Sequence, residues 1–233
     1  MATPIGNAGD ITLRALDALR SADAILCEDT RVSARLLARH GISRPLLPYH
    51  EHNAERMRPK VLERLRAGQS LALVSDAGQP LISDPGFKLL RAAIAEGLPV
   101  TALPGPSAAL TALVLSGQPT DRFFFAGFLT ARSAQRRREL ADLAGIPATL
   151  IFFESPQRLP GAIEHGGIDR GGGLRRVAAA RHVLLQRDAG QPLALDVAAH
   201  HDGARHATDL RGALDRHRQS PLVSTSVLAM CPV

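Results

Sequence analysis

The run Leu71-Ala72-Leu73-Val74-Ser75-Asp76-Ala77-Gly78-Gln79-Pro80 starts as four apolar residues and ends as a turn of small and polar ones. Such a run is too short for a helix and reads as a buried strand that hands over to a glycine-bearing loop. Downstream, Asp84-Pro85 predicts a helix start, with aspartate as N-cap and proline in the first helical position, and a helix from Gly86 to Glu96 ending near Gly97. Pro99-Val100-Thr101-Ala102-Leu103 predicts a second strand, followed by the turn Pro104-Gly105-Pro106 and a helix over Ser107–Ser116. Upstream, Ile11, Leu13, Leu16 and Leu19 recur near helical spacing behind Asp10 as cap; Ala24–Cys27 is another short apolar run, and Thr30–Arg39 a second helical stretch. Short apolar strands alternating with amphipathic helices are the pattern of βαβ units, so the fold class is α/β with a parallel sheet.

A second block follows. Phe123-Phe124-Phe125 reads as a strand, Ser133 as the cap of an arginine-rich helix to Leu143, and Thr149–Phe153 as a further strand. Small and turn residues at Gly117-Gln118-Pro119-Thr120 place the boundary there, giving an N-terminal domain over 1–118 and a smaller, mixed α/β domain over 119–233. Beyond about residue 162 the composition changes: no Phe, Tyr or Trp follows Phe153, and six of the nine histidines lie between His165 and His217. Aromatic side chains supply much of a core's buried area, so this tail is expected to pack poorly.

The whole chain of 233 residues is 45% apolar and 21% charged, ordinary globular usage. No stretch approaches the ~18 apolar residues of a membrane span, and no secretory signal is visible at Met1-Ala2-Thr3-Pro4. Cys27 and Cys231 are the only cysteines, which excludes a disulfide framework and a cysteine-rich zinc site. These features predict a cytoplasmic protein. The net charge of +6 suits a polyanion such as RNA, but it also reflects arginine-heavy composition, with Lys60 and Lys88 the only lysines among 28 basic residues. Arg136-Arg137-Arg138 is the densest basic cluster, either a phosphate contact or a solvated helix face.

Four loops carry the chemistry: Thr3-Pro4-Ile5-Gly6-Asn7, Cys27-Glu28-Asp29-Thr30-Arg31, Ser75–Pro80, and Pro104-Gly105-Pro106-Ser107-Ala108. Three of them follow the carboxyl end of a strand, where open α/β sheets bind ligands. Small residues there let a ligand approach the backbone, or simply turn the chain. Neither a dinucleotide fingerprint nor a P-loop occurs. Asp76 either accepts from a ligand hydroxyl or stabilises its own turn, and Glu28 and Asp29 either act on substrate or cap a helix. Tyr49-His50-Glu51-His52-Asn53 lacks the spacing of a metal site, and no metal is expected.

The runs TPIGNAGDITLRALDALRSADAILCEDTR, YHEHNA, LVSDAGQPLISDPG, PGPSAALTALVLSG, DRFFFAGFL and FFESPQRL occur in order over roughly residues 2 to 159. Together they resemble the ribosomal RNA small subunit methyltransferase I family, within the tetrapyrrole-methylase-like group of S-adenosylmethionine enzymes. The resemblance implies two α/β domains with the cofactor between them, a homodimer, and transfer of a methyl group to the ribose 2′-hydroxyl of a cytidine in the decoding region of 16S rRNA in the small ribosomal subunit. It implies cofactor contacts at Pro4, Asp76, Gly78, Pro80, Ser107 and Ala108. Glu28, Asp29, His50, Glu51 and Asp76 are the candidates for taking up the hydroxyl proton, with Glu28 and Asp29, at a strand end, preferred. Arg31, His50, Arg136 and Arg137 are the candidates for the RNA. A methylase of the same fold acting on a tetrapyrrole or a protein side chain, and an inactive remnant that binds RNA through its arginines, are the alternatives.

The chain also departs from that family. The apolar strand that precedes TPIGN in the family is absent, so the sheet is expected to lack its first strand, the TPIGN loop its anchor, and the true start to lie upstream of Met1. Gln79 stands where threonine is usual. Past about Pro160 the Arg-Glu-Leu-Thr-Lys pattern is missing, with His182-Val183-Leu184-Leu185 after Arg181, as a shifted reading frame would give.

Overall fold

The computed structural model describes residues 1–155, 157–159 and 161–162 in full, and the backbone of three further strands at 176–180, 197–199 and 226–231. The chain divides into two compact units, Met1–Ser107 and Ala108–Val233.

In the first unit, strand β1 (Ala24–Cys27) lies between β2 (Leu46–Pro48) and β3 (Leu71–Leu73), all parallel. All four β1 residues are buried, as a central strand covered on both faces must be. Its side chains alternate. Ile25 and Cys27 face α1 (Leu13–Ser21) and α2 (Thr30–Arg39) through Ala15, Leu16, Leu19 and Leu37. Leu26 faces α3 (Ala54–Arg66) and α4 (Phe87–Ala95) through Val61, Leu62, Leu89 and Ala93, with Tyr49. The result is a three-layer α/β unit, in accord with the parallel sheet read from the sequence.

The second unit repeats the logic in a mixed sheet of order β4-β5-β8-β6-β7: β4 (Phe123–Phe128), β5 (Thr149–Glu154), β6 (Arg176–Ala180), β7 (Val197–Ala199) and β8 (Ser226–Cys231). β4 and β5 are parallel and the other pairs antiparallel. Ile151 and Phe153 of β5 pack on α5 (Ala108–Leu115), while Leu150 and Phe152 pack with Leu140 of α6 (Ser133–Leu143). Helix α5, placed before the 118/119 boundary by the sequence reading, thus shares its core with β5. The poor packing expected of the tail concerns residues that, those three strand backbones apart, lie outside the described ones.

Several local expectations need correction. Ala8–Asp10 forms a short 3-10 turn capped by Asn7, and it is Thr12, not Asp10, that caps α1 by accepting from the Ala15 amide. Asp84 does not cap α4: Gly86 occupies that position at φ +131°, and the Asp84 carboxyl is engaged elsewhere. Ser133 is the first residue of α6 and Arg132 its N-cap. Pro99–Leu103 forms no strand. Among the described residues its one main-chain bond from outside the run is Ala2 N to Leu103 O, 3.2 Å, too little to make a ladder. The TPIGN loop is nevertheless anchored. Thr3 and Gly78 exchange main-chain bonds of 2.9 and 3.1 Å, and the Met1 amine donates to Leu73 O at 2.8 Å.

Candidate active site

The four loops singled out in the sequence, the last of them as far as Ser107, converge within the first unit. Thr3 is joined to Gly78 by the bridge just described, and its hydroxyl donates to Ser75 O at 3.0 Å. Gly105 backs onto Ala2 so closely that an added Cβ would meet the Ala2 Cβ at 2.9 Å. Gly78, at φ +79°, would bring a Cβ to 3.2 Å from Ile5 Cγ2. These close approaches explain why glycine stands there: the backbone packs directly against a neighbouring side chain, with no room for a Cβ between them. The Cys27–Arg31 loop joins through Asp76, whose Oδ1 accepts the Asp29 amide at 3.1 Å.

Carboxylates gather at this junction. Glu28 follows β1, Asp76 follows β3, and Asp84 lies in the next loop, each within electrostatic range of another. Loss of hydration, then repulsion from Glu28, pushes the Asp84 carboxyl up to about 6, against a bond from the Ser75 hydroxyl that lowers it. Desolvation and then repulsion from Asp76 also raise Glu28, although its side chain reaches solvent; His50 lowers it. Asp76 is raised by burial. The loop carrying Asp84 is strained, since Leu81 and Ser83 adopt φ +70° and +66°, the left-handed region that non-glycine residues avoid.

Asp29 is different in kind. Its carboxylate accepts the Arg31 amide at 2.8 Å as the N-cap of α2, and it pairs with the Arg31 guanidinium at 2.6 Å. Those bonds hold it at about 2. Arg31 is exposed beside the acidic cluster. His50 lies close enough to act on Glu28, with its Nδ1 buried and unbonded. Pro4 is half-buried and Pro80 buried; Ser107 closes the first unit and Ala108 opens α5 in the second.

In the second unit Arg136 is only 6% exposed and donates to the carbonyls of Thr130 and Ala131, while Arg137 and Arg138 are exposed. The expectation that Arg136 meets RNA therefore gives way to a structural contact, because its helix turns that side chain inward. Glu154 is fully buried and held by Arg158, whose Nη2 also donates to Leu129 O at 2.7 Å. Reading the sequence missed Asp84 as a site residue, along with Ser75 and Thr3. The available signal was a duplicated pattern, Ser75-Asp76-Ala77-Gly78 and Ser83-Asp84-Pro85-Gly86.

The model of the Tetrapyrrole (Corrin/Porphyrin) Methylases matches residues 2–193. The chain belongs to the tetrapyrrole methylase family. The chain is similar to proteins named ribosomal RNA small subunit methyltransferase I: 53% identical over 183 residues to that of Mesorhizobium japonicum, covering 78% of this chain and 62% of the relative. It is 54% identical over 159 residues to that of Xylella fastidiosa, covering 68% and 58%, and 46% over 194 residues to that of Vibrio cholerae, covering 82% and 67%. The chain thus spans about three-fifths of the length of these two relatives from Mesorhizobium japonicum and Xylella fastidiosa. Its fold is shared with a cobalt precorrin-4 methyltransferase (TM-score 0.62, 20% identity, 98% of this chain and 92% of that one) and a diphthine synthase (TM-score 0.66, 16% identity, 98% and 87%). Among the described residues, no helix is long and apolar enough to cross a membrane.

Proposed function

We propose that the chain uses S-adenosylmethionine to methylate the ribose 2′-hydroxyl of a cytidine in the decoding region of 16S rRNA, on the small ribosomal subunit, as a cytoplasmic homodimer. The observation that carries the reading is the cluster of Glu28, Asp76 and Asp84 beside a rim of backbone from the Thr3, Gly78 and Gly105 loops. The names of relatives 46–54% identical support the RNA substrate.

The donor set fits the cofactor. Carboxylates favour a cation, and a rim of glycine and proline admits a ligand without displacing side chains. Pro4, Asp76, Gly78, Pro80, Ser107 and Ala108 would hold it. When bound, S-adenosylmethionine supplies an electrophilic methyl group on a positively charged sulfur. Methyl transfer is an in-line displacement, so much of the work of the residues is alignment.

The acceptor hydroxyl must also lose its proton. A carboxylate with raised proton affinity accepts one near neutral pH better than an ordinary one. Asp84, Glu28 and Asp76 all meet that requirement. Asp29, held low by Arg31, acts by fixing the start of α2 and aiming Arg31 at a phosphate. His50 stands beside Glu28 as a second RNA contact, with Arg137 exposed on the second unit. The dimer is supported by α5, which leaves Leu110 and Val114 at 51% and 69% exposure, an apolar face of the kind a partner subunit covers.

Incubating the chain with labelled S-adenosylmethionine and unmodified small subunits tests this directly. Label on a cytidine 2′-oxygen is expected. RNA binding without label would remove the catalytic reading and leave an RNA-binding remnant.

A further inference from the structure

Immediately after the Asp84 loop, α4 begins with Phe87, which is 60% exposed. Helical geometry places Leu89 and Ala93 in the core and Phe87 and Arg91 together on the opposite face. The Arg91 guanidinium lies 5.7 Å from the Phe87 ring centroid, over the ring. One side of the phenyl group therefore has a cation against it while the residue as a whole faces water. Lys88 beside it pairs with Glu55 at 2.9 Å, so this face is charged and wet rather than a continuous apolar patch. Two residues, Pro85 and Gly86, separate Phe87 from Asp84, a span of at most about 11 Å between their Cα atoms.

From this arrangement we infer that Phe87 and Arg91 form a stacking platform for an unpaired nucleobase adjoining the ribose held at the acidic cluster. The inference rests on the RNA reading given above and names a further contact for it. An exposed phenyl group supplies a π-face to any base, and the guanidinium beside it adds cation–π attraction and a charge for the neighbouring phosphate. A base at this position must be out of a duplex, so the platform selects single-stranded RNA. A protein neighbour would instead favour Phe87 for its apolar area, which leucine also provides.

The chain contains no tryptophan, so Phe87→Trp introduces a single reporter. Binding of a fluorescein-labelled single-stranded RNA oligonucleotide would be followed by anisotropy for the full chain and for the Trp, Leu and Ala variants. The platform predicts that Trp preserves affinity and that its emission is quenched in step with binding. It predicts that Ala weakens binding about 5- to 150-fold, the range that base–aromatic stacking carries, and that Leu weakens it at least about fivefold. Unchanged affinity in Phe87→Leu, or RNA binding that leaves the tryptophan emission unaltered, overturns the platform while the RNA reading stands. A shift in sedimentation for Phe87→Ala with unchanged RNA affinity assigns the face to a protein neighbour and also overturns it. If the unaltered chain binds no RNA, the function proposed above falls, and the platform with it.

Discussion

Replacing Asp84 with asparagine should make the protein more stable and less active. The carboxyl sits at about 6 in the folded chain, against an ordinary 3.8. At about 1.4 kcal/mol per pH unit, that displacement sets a ceiling near ~3 kcal/mol on the cost of keeping the group ionised. Solvent reaches this half-buried site and reduces the cost to about 1–2 kcal/mol. The sign follows from linkage. The folded state holds the proton more tightly than the unfolded one, so stability falls as pH rises from about 4 to about 6 and stays low above. Asparagine is neutral throughout and close to the carboxyl group in size. Urea unfolding should show the variant ahead at pH 7.5 and level with the unaltered chain below about pH 4. Methyl transfer should fall about 100-fold or more, the usual contribution of a proton acceptor. A variant no more stable at pH 7.5, or one with the same gain at both pH values, would refute the reasoning.

Other outcomes can be checked alongside. With Asp84 as proton acceptor, the transfer rate should rise with pH through about 6 and level off above, in a single-turnover pH series. Gly78→Ala should cost about 1–2 kcal/mol in thermal unfolding, because its φ of +79° penalises any Cβ and Ile5 crowds it. Thr12→Ala should cost about 1 kcal/mol and Asp10→Ala within about 0.5, which separates the true cap of α1 from its neighbour in a denaturant titration. Arg158→Ala should cost about 3–5 kcal/mol by leaving Glu154 buried and uncompensated, with Glu154→Gln in the same background recovering much of it in melting temperature.

Local pattern was most legible where burial is complete. The termini of β1 and α2 follow directly from the run Ala24–Cys27 and from Asp29 as cap, since a strand apolar on both faces and a capped amphipathic helix have few other readings. Helix α3 went unread because it is rich in charge and carries Pro59 inside it, a residue that usually argues against a helix interior. Pro99–Leu103 has strand composition but, among the described residues, takes a single main-chain bond from outside the run, and strand formation depends on partners that no single run specifies. At the site, the loops were legible as places but not as roles. Asp29 and Asp84 look alike in sequence; the first is a cap held at about 2 and the second a carboxyl pushed to about 6, and only packing separates them.

The stitching of the Thr3 loop to Gly78, and of Ala2 to Leu103, is made by main-chain atoms. Every amino acid except proline offers the same amide and carbonyl, so the cradle is largely blind to which side chains decorate it. Mutational drift at the outward positions leaves its shape intact. The veto falls on a few places where a single carbon would collide: Gly78 against Ile5, Gly105 against Ala2, and Gly86 against Leu73 at 2.8 Å. A lineage carrying this scaffold is thus free to exchange the groups that greet a substrate, provided those three positions stay bare.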